Sequence, residues 1–200
     1  VYSLLYYGVE INREVGQSHT TLPLIDWDHP ENNEFAVAEE VSVRRADGKT
    51  TRRPDVVLYV NGIALAVLEL KRGSVTVNEA IRQNQTNQHE GEIPHFFSTV
   101  QLVMAANETE GLRYATTQTP PKYYLTWKRD QEDTPVNHLL EHLRELCSQK
   151  RLLEFIHDFV VYDAGIKKVA RPHQYRRIKK TQEYLIRRDG GIICHTQCRR

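Results

Sequence analysis

Two acidic residues and a lysine are spaced so that they can do phosphodiester chemistry: Asp55, directly after Pro54, and further along the chain Glu69-Leu70-Lys71. Hydrolysis of a phosphodiester needs a cation on the phosphate, a deprotonated water and help for the leaving oxygen. Mg²⁺ suits a site built from few protein oxygens, because it keeps several of its own waters. Asp55 and Glu69 supply two carboxylates for such a site, and the backbone carbonyl of Leu70 can join them. Lys71 lies on the same strand face as Glu69, since strands have a period of two. There it can orient an attacking water and stabilise charge. The plainer reading is a surface ion pair at a strand end, worth ~0–1 kcal/mol. Against it, Glu69 ends a run of Ile, Ala, Leu and Val, where a carboxylate without a task is costly.

Three further residues stand near this constellation. Gln83 falls on the helix expected after Lys71, where it either hydrogen-bonds the scissile phosphate, holds a catalytic water or is a solvated amide. Arg52 and Arg53 precede Asp55 and can bind DNA phosphates as positioning contacts, or be exposed charges at a strand start. The nine histidines form no recognisable triad, and His29, His138 and His142 read as surface or helix residues.

Positioning the acids depends on strand register. Val56-Val57-Leu58-Tyr59-Val60 and the run from Ile63 to Leu70 flank Asn61-Gly62, the strongest short-range hairpin signal. Neither run alternates with polar residues, so both strands are expected to be covered on two faces. A two-residue turn pairs Val60 with Ile63 and Asp55 with Leu68, which throws Glu69 to the opposite face. A three-residue connection with Gly62 left-handed pairs Asp55 with Glu69, and a bulge does the same. The metal site therefore requires one or the other.

Around this hairpin the sequence predicts a short strand or turn at Leu22 to Trp27, a loop at Asp28 to Asn33, and a strand from Phe35 to Arg44. Thr76-x-x-Glu79 is a capping box opening a helix. Val77, Ala80, Ile81 and Asn84 share one face of it, with Gln83, Gln85, Asn87 and Gln88 on its polar sides. Strands follow at Val100 to Ala105 and Lys122 to Trp127, then helices at Val136 to Ser148, Leu152 to Val160 and His173 to Arg188. Gly190-Gly191 ends the last helix, and Ile192 begins a strand.

Composition bounds the class. The 200 residues carry 27 Lys and Arg against 26 Asp and Glu, so any phosphate-binding character must come from distribution. From Lys167 to Arg188 the only acid is Glu183, which fits a basic flank facing phosphate or a solvated helix face. Three cysteines are too few for a disulfide framework and fit a reducing cytosol. Cys194, His195 and Cys198 fall short of the ligand count of a zinc site. No apolar run is long enough to span a membrane and no signal-peptide pattern is present. The opening at Val1 and the ending at Arg200 read as a fragment.

Arg52-Arg53-Pro54-Asp55 with Glu69-Leu70-Lys71 across a Val-Asn-Gly turn resembles the PD-(D/E)xK nuclease domain of the restriction and motor (R) subunit of type I restriction-modification enzymes. Leu24 to Phe35 resembles that family's segment upstream of the site. Ala170-Arg171-Pro172-His173-Gln174-Tyr175 is similar to the Q-type motif opening its helicase motor, and Gly190 to Gln197 to the strand leading into its Walker A loop. The resemblance implies a restriction-endonuclease-like α/β core, a central mixed sheet flanked by helices with a C-terminal helical connector. It places the nuclease domain at residues 1–150, with the connector and the beginning of a motor at 151–200. Mg²⁺-dependent hydrolysis of double-stranded DNA would follow, with Asp55, Glu69 and the Leu70 carbonyl at the metal, Lys71 activating water and Gln83 assisting. Partners would be the modification and specificity subunits, in the cytoplasm.

Two departures stand out. The family often places a tyrosine four residues after the glutamine, where this chain has Asn87. Where a GSGKS loop is expected after Gln197, the chain has Cys198-Arg199-Arg200. ATP is therefore expected to be a cofactor of the full-length subunit, an ATP-driven translocase, and not of this polypeptide alone. The family can also use an upstream acidic metal ligand, which the sequence does not place. Competing readings are a stand-alone repair or recombination nuclease of the same superfamily, disfavoured by the motor-like motifs, and a non-catalytic DNA-binding or docking module.

Overall fold

The structure is a computed structural model and describes residues 1–11, 20–127, 139–188, 190 and 191. In chain order its elements are α1 (Tyr2–Tyr7), β1 (Val9–Ile11), β2 (Thr20–Leu22), β3 (Phe35–Glu39), β4 (Val43–Arg44), β5 (Thr51–Arg52), β6 (Val56–Val60) and β7 (Ile63–Lys71). Then follow α2 (Val77–Asn87), β8 (Leu102–Asn107), β9 (Gly111–Ala115), β10 (Leu125–Thr126), α3 (Leu139–Leu146), α4 (Gln149–Phe159), β11 (Val160–Asp163), β12 (Ile166–Val169) and α5 (Pro172–Arg187). A central sheet of six strands runs in the order β10-β9-β8-β7-β6-β3. Only β7 and β8 are parallel, and α2 lies in the crossover that a parallel pair requires. This is the mixed, helix-flanked sheet of a restriction-endonuclease-like fold.

The hairpin at the heart of the sheet settles the register. Asn61 (φ 50°) and Gly62 (φ 77°) are both left-handed, as a two-residue type I′ turn demands, and Val60 pairs with Ile63. Without correction Glu69 would then face away from Asp55. The correction is a β-bulge: Tyr59 pairs with Ala64 but Leu58 pairs with Ala66, so Leu65 is an extra residue. Beyond it Val56 opposes Leu68, and one step further Asp55 comes level with Glu69. The bulge, and not a longer turn, meets the requirement.

Both faces of the sheet are covered, as the unbroken apolar runs demand. On one face Leu68, Leu102, Met104, Leu112 and Tyr114 pack with Trp127, Phe155 and Tyr175, among others. The rings of Tyr114, Trp127 and Phe155 meet edge-on, each pair with centroids 5.7 Å apart, a geometry aromatic quadrupoles favour. Residues of α4 and Tyr175 of α5 thus belong to the principal core. On the other face α2 sets Val77, Ala80 and Ile81 against Ala105. Glu69 shares that face, two residues on from Val67, which packs against Val57 and Val103.

Several elements differ from the sequence expectation. The run from Phe35 to Arg44 breaks at Glu40, whose φ of 52° leaves β3 in the main sheet and β4 paired with β5. Pro120-Pro121 starts a 3₁₀ turn (Pro121–Tyr123), shortening the strand to β10. The chain after α4 turns through Ala164 and Gly165, both at positive φ, into the unforeseen hairpin of β11 and β12. The capping box does not form: Thr76 caps the helix by accepting the Asn78 N–H, and Glu79 pairs with Arg82. Glu110, from the β8–β9 turn, accepts the Val77 N–H at 2.8 Å instead. The strand expected from Ile192, the Cys194-His195-Cys198 group and His138 lie outside the described residues. Among the described residues no helix is long and apolar enough to cross a membrane.

Candidate active site

Asp55, Glu69, Lys71 and Gln83 come together at one end of β7, and each is held by its own element. Asp55 leads into β6 behind the buried Pro54, which keeps the preceding residue extended. Its Oδ2 accepts the Leu70 N–H at 2.7 Å, so the carboxylate binds the β7 backbone where the strand ladder ends. Glu69 has no solvent exposure. Its Oε1 accepts from Asn87 Nδ2 at 3.1 Å, while Oε2 accepts no hydrogen bond from the described residues. Burial first, and then the charge of the nearby Asp55 carboxylate, push the Glu69 carboxyl up to about 9, against the opposing pull of Lys71 and Asn87.

Lys71 bridges the strand to the helix. Its Nζ donates to the Leu70 carbonyl at 3.2 Å and to Gln83 Oε1 at 2.5 Å, and lies 3.9 Å from Asp55 Oδ2. With the Asp55 and Lys71 side chains 33% and 22% exposed, the cluster opens to solvent on the side away from Glu69.

These residues fit a divalent cation. Two converging carboxylates, one buried with an unpartnered oxygen, are incompletely neutralised by an ammonium 3.9 Å from the nearer acid. All the donors are hard oxygens, the set Mg²⁺ prefers. Among the described residues no third Asp, Glu, His or Cys completes a ligand cluster, so such an ion would keep several waters.

The two arginines separate. Arg52 donates from Nε and Nη2 to both oxygens of Glu92, at 2.5 and 2.8 Å. Arg45 joins the same carboxylate at 2.9 Å. This cluster clamps the β4–β5 hairpin to the segment after α2. The Arg53 side chain is 59% exposed, with a loose contact to Glu40 at 3.4 Å. Asn87, placed on a polar side by the sequence reading, is instead buried and touches Glu69. It lies one helical turn beyond Asn84, so extending the apolar face by i+3 finds it.

A mixed sheet with a helix in its parallel crossover, and two acids and a lysine gathered at the end of its central hairpin, marks the class of restriction-endonuclease-like folds. The family described as "Type I restriction enzyme R protein N terminus" matches residues 1–122, and the chain belongs to it. It is 25% identical to the putative type I restriction enzyme MjaIXP endonuclease subunit of Methanocaldococcus jannaschii, over 98% of this chain and 22% of that protein. It is 28% identical to the type I restriction enzyme HindI endonuclease subunit of Haemophilus influenzae, over 98% of this chain and 20% of the relative. With the SsaAORF53P endonuclease subunit of Staphylococcus saprophyticus it shares 25% identity, over 90% and 19%. The chain thus spans about a fifth of the length of these relatives.

Proposed function

We propose that this chain is the nuclease portion of the R subunit of a type I restriction enzyme and hydrolyses phosphodiester bonds of double-stranded DNA with Mg²⁺. The observation that carries the reading is the fully buried Glu69, brought level with Asp55 by a bulge and flanked by Lys71. The names of the relatives, all type I restriction endonuclease subunits, support it.

Asp55, Glu69 and the Leu70 carbonyl would hold the ion. Bound there, it would neutralise phosphate charge and make a water acidic enough to attack. The protein's own part is positioning. Asp55 is fixed by the Leu70 N–H, and Glu69 is kept dry by the strands around it. Lys71 is steadied by the Leu70 carbonyl and Gln83 Oε1, so its remaining proton-donor capacity can meet the water or a phosphate oxygen. Gln83 acts through this contact, and its amide N–H can also reach toward the phosphate.

On the same reading, the nuclease portion takes in α4 and Tyr175, which pack in its core beyond the boundary at residue 150, and the chain then leads into an ATP-driven motor. The modification and specificity subunits are the partners, and the complex works in the cytoplasm. The test is Mg²⁺-dependent cutting of double-stranded DNA by the complete enzyme carrying Glu69→Ala or Lys71→Ala. Undiminished cutting by both would remove the assignment.

Arg53, exposed beside Asp55, serves as a phosphate-positioning contact, whereas Arg52 is committed to Glu92. Replacing Arg53 by Ala is expected to weaken binding of any DNA sequence alike and to lower the salt dependence of affinity by about one ion. Arg52→Ala is expected to act on thermal stability instead. Equal salt slopes for wild type and the Arg53 variant would remove that contact.

A further inference from the structure

We infer that Asn87 is a positioning residue for the cation site: its side-chain amide holds Glu69 Oε1 so that Oε2 is the oxygen offered to the ion. The inference rests on the metal-dependent reading of Asp55 and Glu69.

The geometry is specific. Glu69 is wholly buried and Asn87 is 2% exposed, so no bulk water substitutes for the contact between them. Asn87 Nδ2 lies 3.1 Å from Oε1, and among the described residues Oε2 is left without a hydrogen-bond donor. An amide donates without carrying charge. It therefore fixes the carboxylate's rotation without competing with a cation for the second oxygen, as a lysine or arginine there would. Asn87 is itself fixed, because its backbone carbonyl accepts the Ile93 N–H at 3.1 Å where α2 gives way to the next segment. Groups that orient a ligand in this way characteristically change metal affinity about 10–100-fold when removed.

Asn84, one turn earlier on α2, provides a matched contrast. It is equally buried, but its amide donates to the Met104 carbonyl at 2.7 Å, a bond between helix and sheet with no carboxylate involved. Asn84 is structural and Asn87 is directed at Glu69.

The test is Mn²⁺ affinity of the intact polypeptide, free of nucleotide and DNA, with the Glu69-dependent site defined by its loss in Glu69→Ala. Asn87→Ala and Asn87→Leu both remove the donor, one leaving space and the other filling it, so a folded sample of either reports. Both are expected to weaken Mn²⁺ binding at that site by about 10–100-fold. Asn84→Ala is expected to lower the melting temperature and leave the dissociation constant unchanged. Unchanged binding in the Asn87 variants, or an equal loss in Asn84→Ala, overturns the positioning role while the metal site stands. Identical Mn²⁺ binding by wild type and Glu69→Ala overturns the metal reading itself, and this inference with it.

Discussion

Cutting of double-stranded DNA by the complete enzyme is expected to fall about 10²–10³-fold on Lys71→Ala, the usual cost of losing one preorganised group that meets charge developing in the transition state. Glu69→Ala is expected to fall at least as far, because it removes one of two carboxylates available to the ion and leaves Asp55 alone. The geometry accounts for the size. Lys71 Nζ is held between the Leu70 carbonyl and Gln83 Oε1, so on the proposed reading it would need little reorganisation to meet the reacting phosphate. Replacing Gln83 by Ala should therefore cost less than removing Lys71, since the ammonium keeps the carbonyl and Asp55 nearby. The measurement is the rate of linearisation of a supercoiled circle, read beside ATP consumption, which separates the nuclease from the proposed motor. Undiminished linearisation by Lys71→Ala, with ATP consumption unchanged, would remove the catalytic assignment.

The residues of the candidate site are easier to read from the sequence than the means of bringing them together. Asn61-Gly62 announced a tight turn, and the unbroken apolar runs announced strands covered on both faces. Together these place the acids near one another but leave their faces undecided. The deciding residue is Leu65, inserted opposite no partner, and nothing in Ile-Ala-Leu-Ala-Val distinguishes an extra leucine from a paired one. Bulges of this kind are set by packing across the sheet, which local propensity does not encode. Gln83 lies on α2, the helix expected after Lys71, but the sequence does not show its contact with Lys71, because a helix amide reads the same whether it faces water or an ammonium. Arg52 and Arg53 look equivalent in sequence. Only the distant Glu92 separates them, binding Arg52 across the fold. Asn87 passed for a polar surface residue because its partner, a buried carboxylate, is itself the exception to the apolar pattern.

In the absence of divalent ions, Glu69→Gln is expected to make the protein more stable at pH 8 while abolishing cutting. The Glu69 carboxyl, ordinarily near 4.5, is pushed up to about 9 by burial and by Asp55. Between those values the native state holds a proton that the unfolded chain has released, so the contribution of Glu69 to stability declines as pH rises through that window. Each unit of displacement corresponds to about 1.4 kcal/mol, so the whole shift amounts to several kcal/mol. Glutamine is neutral at every pH. It can still accept from Asn87, so it keeps that contact and loses the buried charge. Denaturant melts in EDTA should show wild type losing stability from about pH 5 to pH 9, with the variant nearly flat over the same range. Mg²⁺ should then restore wild type by mass action and leave the variant unmoved. On the proposed reading, the same carboxylate is a cost to the empty fold and an asset to the loaded one, as expected where function is built on a locally unfavourable arrangement. Equal pH slopes for the two proteins in EDTA would show that Glu69 carries no such burden, and would undercut the argument that its burial serves a cation.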